Sequence, residues 1–203
     1  AGLDFFRKAV TIQEAYMPAG RTIRNGIQTN ATLITDEWGK FFLDENFYVG
    51  ISIDGPEHYH NISRTRGSGN GTFEEVMRGL KILKRYNVPH EFLCVVSNSN
   101  VSAPLELYRF FKGLGSSYIT FLPLVEAAGK GSGKATALSV RPMDFGKFLV
   151  AIFDEWIEED IGKVKVQIFE EALRTAFRQE HTLCIFKPVC GGVPVVEMNG
   201  DFY

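Results

Sequence analysis

The sequence has 203 residues, of which 45% are hydrophobic and 23% charged, and its formal net charge is −2. This composition is typical of a globular domain that buries roughly 70% of its unfolded surface, and the lack of a basic stripe argues against nucleic acid as a partner. No apolar run approaches the ~20 residues of a membrane span, and three cysteines are too few for a disulfide framework. A protein of the reducing cytoplasm without membrane contact is therefore expected.

The hydrophobic pattern alternates between the helical and the strand period along the chain. In chain order it predicts a helix over residues 3–16, a strand over 22–29, a helix over 36–46, a strand over 48–53, a helix over 72–86, a strand over 91–96, a helix over 103–113, a strand over 118–125, a helix over 142–159, a strand over 163–168 and a last helix that ends at 177. Thr72 and Glu75 have the spacing of a capping box at the start of one helix. Residues 193–203 predict a strand, a turn and a second strand that is cut off before the hairpin closes.

This alternation predicts an α/β fold. The strands at 48–53, 91–96 and 118–125 carry apolar residues on both faces, which is typical of parallel strands covered by helices. Polar residues recur where the strands end: Gln28, Thr29, Asn30, Ser52, Asp54, Ser97, Asn98 and Glu126. Because such folds bind ligands at the carboxyl ends of their strands, a pocket is predicted there; the alternative is that these residues only form turns and helix caps.

Three stretches of sequence are more specific than this general pattern. They are Gln-Thr-Asn-x-Thr-Leu at 28–33, Ser-Ile-Asp-Gly-Pro at 52–56 with His60 and Arg64 after it, and a cysteine pair, Cys184 and Cys190, followed by Val-Val-Glu-Met-Asn-Gly-Asp-Phe-Tyr at 195–203. In this order and spacing they resemble the radical S-adenosylmethionine enzymes that carry a SPASM-type C-terminal extension. Within that group the resemblance is closest to the anaerobic sulfatase-maturating enzymes, and it covers essentially the whole chain.

The resemblance implies a partial (β/α)6 TIM-like barrel. Residues 1–178 would form the barrel without its first strands, and residues 179–203 would begin the extension that holds auxiliary clusters. The family's C-x3-C-x2-C loop, which binds the first [4Fe-4S] cluster, is absent from the sequence, as are the later cysteines that complete two auxiliary clusters. The chain is therefore interpreted as an internal piece of a longer enzyme, inactive by itself and without a catalytic residue of its own.

The chemistry that the resemblance implies is oxidation of a Cys or Ser in a sulfatase polypeptide to formylglycine. A reduced [4Fe-4S] cluster cleaves S-adenosylmethionine to a 5′-deoxyadenosyl radical, which removes a hydrogen atom from Cβ of that residue. The expected partners are the sulfatase and an electron donor such as flavodoxin or ferredoxin, and the protein is expected to be a monomer. Two alternatives remain: another SPASM peptide maturase, and a barrel-type binding module without redox chemistry.

Five residues are assigned to the S-adenosylmethionine site through the resemblance. Ser52 and Arg64 are assigned to the methionine carboxylate, which a guanidinium fork fits well. Gln28 and Asn30 are assigned to S-adenosylmethionine or the peptide, and Leu122 to the adenine. The alternatives are tight packing for Ser52, a solvated loop charge for Arg64, turn formation for Gln28 and Asn30, and a core position for Leu122.

Cys184 and Cys190 are assigned to an auxiliary [4Fe-4S] cluster, because thiolates are the usual ligands of such clusters. The alternatives are two ordinary thiols or part of a zinc site. Cys94, within an apolar strand, is predicted to be a core residue. Asp54 is predicted to be a turn residue and His60 to lie in a turn or at the surface. The glycine-rich loop 127–134 lacks the spacing of a phosphate-binding loop and is predicted to be a mobile rim loop.

Overall fold

The computed structural model describes residues 2–129, 133–189 and 192–203. Its elements are α1 (Leu3–Tyr16), β1 (Gly26–Thr29), α2 (Asp36–Asp44), β2 (Tyr48–Ser52), α3 (Glu57–Ser63), α4 (Phe73–Arg85), β3 (His90–Val96), α5 (Pro104–Gly113), β4 (Tyr118–Pro123), α6 (Pro142–Glu159), β5 (Lys165–Val166), α7 (Gln167–Ala176) and a 3-10 turn (Cys184–Phe186). The five strands form one sheet in the order β1-β2-β3-β4-β5, and every neighbouring pair is parallel. The predicted α/β class and the partial barrel are confirmed.

Two strands, β1 and β5, are shorter than predicted by four residues each, whereas β2 and β4 lose only one and two residues at their ends. β1 begins at Gly26, because β2 offers its first partner there, Tyr48, and the residues before Gly26 have no neighbouring strand to pair with. β5 has only two residues, because the N–H groups of Lys163 and Val164 both bond to the carbonyl of Asp160 in a turn, and α7 begins directly after Val166.

Helix α3 and the chain around it differ from the prediction. The Asp-Gly-Pro sequence indicates a turn, yet seven residues after Pro56 form a helix. The capping box is also absent. Thr72 precedes α4 but makes no side-chain cap bond; its hydroxyl bonds to the Arg64 carbonyl at 3.0 Å, and Glu75 pairs with Arg66.

The core lies on the face of the sheet that the helices cover. Its strand residues alternate with residues of the opposite face, as a pleated strand requires: Val49, Ile51, Ile53, Phe92, Cys94, Val96, Ile119 and Phe121. Helix residues such as Phe111, Phe148 and Trp156 pack on them. Cys94 is fully buried, and burial raises the pKa of its thiol well above the ordinary value, which confirms its predicted place in the core.

The opposite face of the sheet, here called the open face, is lined by Gln28, Gly50, Ser52, Leu93, Thr120 and Leu122. The register aligns Gln28 with Gly50, Ser52 with Leu93, and Leu93 with Thr120. From β1 to β4 this face spans about 14 Å, given about 4.8 Å between neighbouring strands.

The C-terminal hairpin closes, contrary to the prediction. Val195 and Tyr203 exchange both backbone hydrogen bonds, at 3.0 and 3.1 Å. The turn is tight because Gly200 adopts a positive φ of 91° and Asn199 accepts the Asp201 N–H at 3.1 Å. Across the described ranges, none of the helices combines the length and apolarity that crossing a bilayer requires.

Candidate functional site

The open face presents hydrogen-bonding groups that the protein itself leaves unused. Ser52 lies at the end of β2 and is 9% exposed, and its hydroxyl has no protein partner among the described residues. Thr120 is almost fully buried on β4, and its Oγ1 also has no partner there. Buried polar groups are normally hydrogen-bonded, so two hydroxyls without a protein partner on one face indicate a place for a polar ligand.

Gly50 is buried in the middle of this face. A Cβ at that position would come within 2.8 Å of Leu93 Cδ1 and 3.7 Å of Gln28 Cγ. The position therefore has no room for a larger residue, because the Leu93 side chain packs closely over the bare strand backbone. Leu122 is 38% exposed at the same face, so it is not a core residue.

Arg64 is held by a buried carboxylate. Its Nε donates to Asp54 Oδ2 at 2.6 Å and its Nη2 donates to Oδ1 at 3.1 Å, with the two side chains 25% and 8% exposed. Arg64 is thus not a solvated loop charge, and Asp54 is more than the turn residue that the sequence predicts. A guanidinium has five N–H donors, so three remain for a ligand.

His60 is completely buried, which corrects its predicted place in a turn or at the surface. Its Nδ1 lies 3.3 Å from the Asp54 N–H and its Nε2 lies 3.1 Å from Thr72 Oγ1. Burial lowers the pKa of His60, Asp54 acts to raise it and the Arg64 cation acts to lower it, and together they bring the pKa to about 4. The imidazole is therefore neutral near pH 7.

Asn30 forms a local turn. Its Oδ1 accepts the Thr32 N–H at 3.3 Å and the Thr32 hydroxyl at 3.0 Å, while Thr29 Oγ1 accepts the Ala31 N–H at 3.1 Å. Ala31 takes a positive φ of 58° in this turn and is fully buried. The Asn30 oxygen is thereby committed to the backbone, which leaves its amide N–H groups for a ligand.

The segment that carries Cys184 is anchored by the buried carboxylate of Glu171 on α7. Glu171 accepts hydrogen bonds from the Thr182 N–H at 3.1 Å and from the Thr182 hydroxyl, and its Oε2 lies 2.7 Å from His181 Nδ1. Burial acts to raise the pKa of Glu171, but the bonds from Thr182 and His181 outweigh it and lower that pKa to about 2. Cys184 itself is exposed with a free thiol, and Cys190 lies outside the described residues.

Two other clusters do not form sites. Glu155, Glu159 and Asp160 lie close together, but Lys112 Nζ is 2.6 Å from Asp160 and within 3.5 Å of the other two. The cluster is an ion-pair network that joins α5 to α6. The glycine-rich loop lies partly outside the described residues, and its ends pair through Ala127 and Ala135.

The structure places Gln28, Ser52 and Leu122, which were assigned through the resemblance, on one face of the sheet. The sequence does not reveal the Asp54–Arg64 pair or the buried positions of His60 and Thr120. The one available signal was an Asp placed directly after a buried strand with an Arg ten positions later, because a buried carboxylate requires a partner.

Comparison with known proteins agrees with this arrangement. The family described as the Radical SAM superfamily matches residues 2–111. A "Serine-type anaerobic sulfatase-maturating enzyme" of Bacteroides thetaiotaomicron is 42% identical over 99% of this chain and 51% of its own length, and a "Cysteine-type anaerobic sulfatase-maturating enzyme" of Clostridium perfringens is 33% identical over 100% and 55%.

A solved structure described as native anSMEcpe with bound AdoMet superposes with a TM-score of 0.87 at 33% identity, covering 100% of this chain and 56% of the other. The chain spans about half the length of the curated relatives that it matches. Because the family match covers more than half of the sequence, and the parallel sheet with its open face agrees with it, this chain belongs to the radical SAM superfamily.

Proposed function

We propose that the full-length protein is an anaerobic sulfatase-maturating enzyme that binds S-adenosylmethionine at the open face and oxidises a Cys or Ser of a sulfatase to formylglycine. Two observations at the carboxyl end of β2 carry the proposal together: the Ser52 hydroxyl has no protein partner among the described residues, and the Arg64 guanidinium is held by Asp54 just beyond the strand. The relatives named as Serine-type and Cysteine-type maturases support the choice of reaction.

Each assigned residue has a separate role in this proposal. Ser52 donates one hydrogen bond to the methionine carboxylate, and Arg64 donates from the N–H groups that Asp54 does not use. Gln28 and the Asn30 amide contact S-adenosylmethionine or the substrate peptide. Leu122 contacts the adenine through its exposed side chain.

S-adenosylmethionine together with a reduced [4Fe-4S] cluster supplies the radical that removes a hydrogen atom from the substrate. The described residues serve to bind and orient, and the covered sheet excludes water from one side. None of them is proposed to act as a general acid or base. Thr120 also lies at this face, where its buried hydroxyl has no protein partner among the described residues.

We propose that Cys184 and Cys190 are ligands of an auxiliary [4Fe-4S] cluster. The domain boundary is placed near residue 178, so that residues 179–203 begin the extension. Two observations on this chain support the fit: the Cys184 thiol is free and exposed, and Glu171 fixes the segment that leads to it. Both cysteines would bind as thiolates.

The proposed partners are a sulfatase polypeptide and a low-potential electron donor such as flavodoxin or ferredoxin. The protein is proposed to be a cytoplasmic monomer. The free thiols of Cys94 and Cys184 support a reducing compartment.

The test uses the full-length protein, reconstituted anaerobically with iron and sulfide. We expect S-adenosylmethionine cleavage and an aldehyde in sulfatase peptides that contain the target Cys or Ser, detected with a hydrazide probe and mass spectrometry. Arg64→Ala should weaken S-adenosylmethionine binding about 10-fold or more, because charge-assisted hydrogen bonds contribute roughly 1.5–3 kcal/mol.

Arg66→Ala is the matched control, because Arg66 lies two residues away and pairs with Glu75. It should leave S-adenosylmethionine affinity unchanged. Equal affinity of the Arg64→Ala variant and the wild type would contradict the carboxylate role. Cleavage of S-adenosylmethionine with a cross-linked peptide in place of an aldehyde would identify another SPASM maturase, and no cleavage at all would favour a binding module.

A further inference from the structure

The ion pair between Asp54 and Arg64 is built into the fold from both sides. On the acidic side, Asp54 Oδ1 also accepts the Val95 N–H of β3 at 2.9 Å. The Asp54 N–H donates to His60 Nδ1, and the Asp54 carbonyl accepts from Asn100 Nδ2 at 3.3 Å. The carboxylate therefore has a fixed place just beyond the end of β2.

The backbone of Arg64 is fixed as firmly. Its N–H donates to the His60 carbonyl at 3.1 Å. Its own carbonyl accepts both the N–H and the hydroxyl of Thr72, at 3.1 and 3.0 Å. With the backbone held at α3 and the guanidinium held by Asp54, the long side chain of Arg64 has little freedom left.

The pair also determines which edge of the guanidinium a ligand meets. Asp54 occupies Nε and one hydrogen of Nη2. Both hydrogens of Nη1 and one of Nη2 have no partner among the described residues. One Nη1 hydrogen and the remaining Nη2 hydrogen form the second two-pronged edge of the fork. That edge suits a second carboxylate in bidentate geometry.

We propose that Asp54 is a positioning residue, which orients Arg64 before S-adenosylmethionine arrives so that its outer edge meets the methionine carboxylate. This inference rests on the proposed function. The gain is preorganisation, because the freedom of the Arg64 side chain is already lost before binding. If Asp54 only neutralised a half-buried cation, a carboxylate in any nearby position would serve equally well.

The experiment uses two substitutions at Asp54 in the full-length, reconstituted protein. Asp54→Asn keeps the shape and removes the charge, while Asp54→Glu keeps the charge and moves the carboxylate by one methylene. Each is titrated with S-adenosylmethionine and with decarboxylated S-adenosylmethionine, which lacks the group that Arg64 is proposed to bind. We expect both variants to bind S-adenosylmethionine about 10-fold more weakly and the decarboxylated compound with an affinity close to that of the wild type.

Two comparisons isolate the route through Arg64. In the Arg64→Ala background, adding Asp54→Asn should weaken S-adenosylmethionine binding no further, since the residue that Asp54 positions is gone. Asp36→Asn is the matched control, because Asp36 pairs with Arg85 at 2.6 Å on the exposed surface of α2 and α4. It should leave both affinities unchanged.

The outcomes separate the inference from the proposed function. Failure of the wild type to bind S-adenosylmethionine would overturn the proposed function. If the wild type does bind S-adenosylmethionine, two results would overturn only the positioning role. One is that the Asp54→Glu variant binds S-adenosylmethionine as tightly as the wild type, and the other is that the Asp54→Asn variant binds it more tightly. An equal loss of affinity for S-adenosylmethionine and for the decarboxylated compound would also overturn the positioning role, because it would show a general structural effect. If the Asp54→Asn variant does not fold, the Asp54→Glu variant still tests the inference.

Discussion

His60 shows how a single buried side chain fixes the direction of a hydrogen-bond chain. The Asp54 N–H can only donate to His60 Nδ1, so Nε2 carries the proton and donates to Thr72 Oγ1, which in turn donates to the Arg64 carbonyl. Every group in this chain is satisfied by a neutral imidazole. A second proton on Nδ1 would face the N–H of Asp54, donor against donor.

The pH dependence of stability follows from this geometry. The folded pKa of His60 is about 4, whereas the unfolded value is 6.5. Between these values the unfolded chain binds a proton that the folded chain does not, so stability decreases as the pH falls through that window, by at most about 1.4 kcal/mol per pH unit. Urea denaturation of the full-length protein at several pH values measures this slope.

His60→Gln should make that slope shallower, since no group at the position titrates. His58→Gln is the control, because His58 is exposed and lies beside Glu106. The interpretation of His60 fails if the wild type and His60→Gln show the same pH dependence, or if His58→Gln changes it as much.

At the scale of elements, α4 approaches the turn after β1 closely at Gly79. A Cβ at Gly79 would lie 2.3 Å from the Ala31 carbonyl oxygen and 3.2 Å from the Ala31 Cβ. The turn at Asn30 and Ala31 can follow its path only because α4 presents a bare backbone here.

Gly79→Ala should therefore destabilise the protein by about 1–3 kcal/mol despite the better helix propensity of alanine, since backbone must move to admit the methyl group. Gly146→Ala is the matched control. Gly146 lies within α6, and a Cβ there would meet nothing within 4 Å, so this change should stabilise by about 0.5–1 kcal/mol. Denaturant unfolding of both variants measures the change in the free energy of unfolding. Changes of the same sign and size in the two variants would contradict the prediction.

For the whole molecule, the sequence predicts the order and type of most elements, because apolar strands and amphipathic helices have different periods. It misplaces the start of β1 and the length of β5, since strand ends depend on the neighbouring strand. Helix α3 is missed because Asp-Gly-Pro has the local chemistry of a turn.

The candidate site likewise contains positions that follow from the local sequence pattern and positions that do not. Ser52, Gln28 and Leu122 share a face because strand periodicity and parallel order determine it. The partners of Asp54 and His60 depend on contacts between segments that no local pattern encodes. The resemblance names Arg64, but only the structure shows which edge of its guanidinium remains open.

The bond from the Val95 N–H to Asp54 has a consequence for amide hydrogen exchange. Coupling free energies are reciprocal, so if Asp54 prepares Arg64 for a ligand, the ligand must in turn stabilise the arrangement around Asp54. S-adenosylmethionine should therefore slow exchange of the Val95 amide in the full-length protein, while the decarboxylated compound should slow it less. Mass spectrometry of the β3 peptide measures this, and equal protection by both compounds would show that Val95 responds to binding in general.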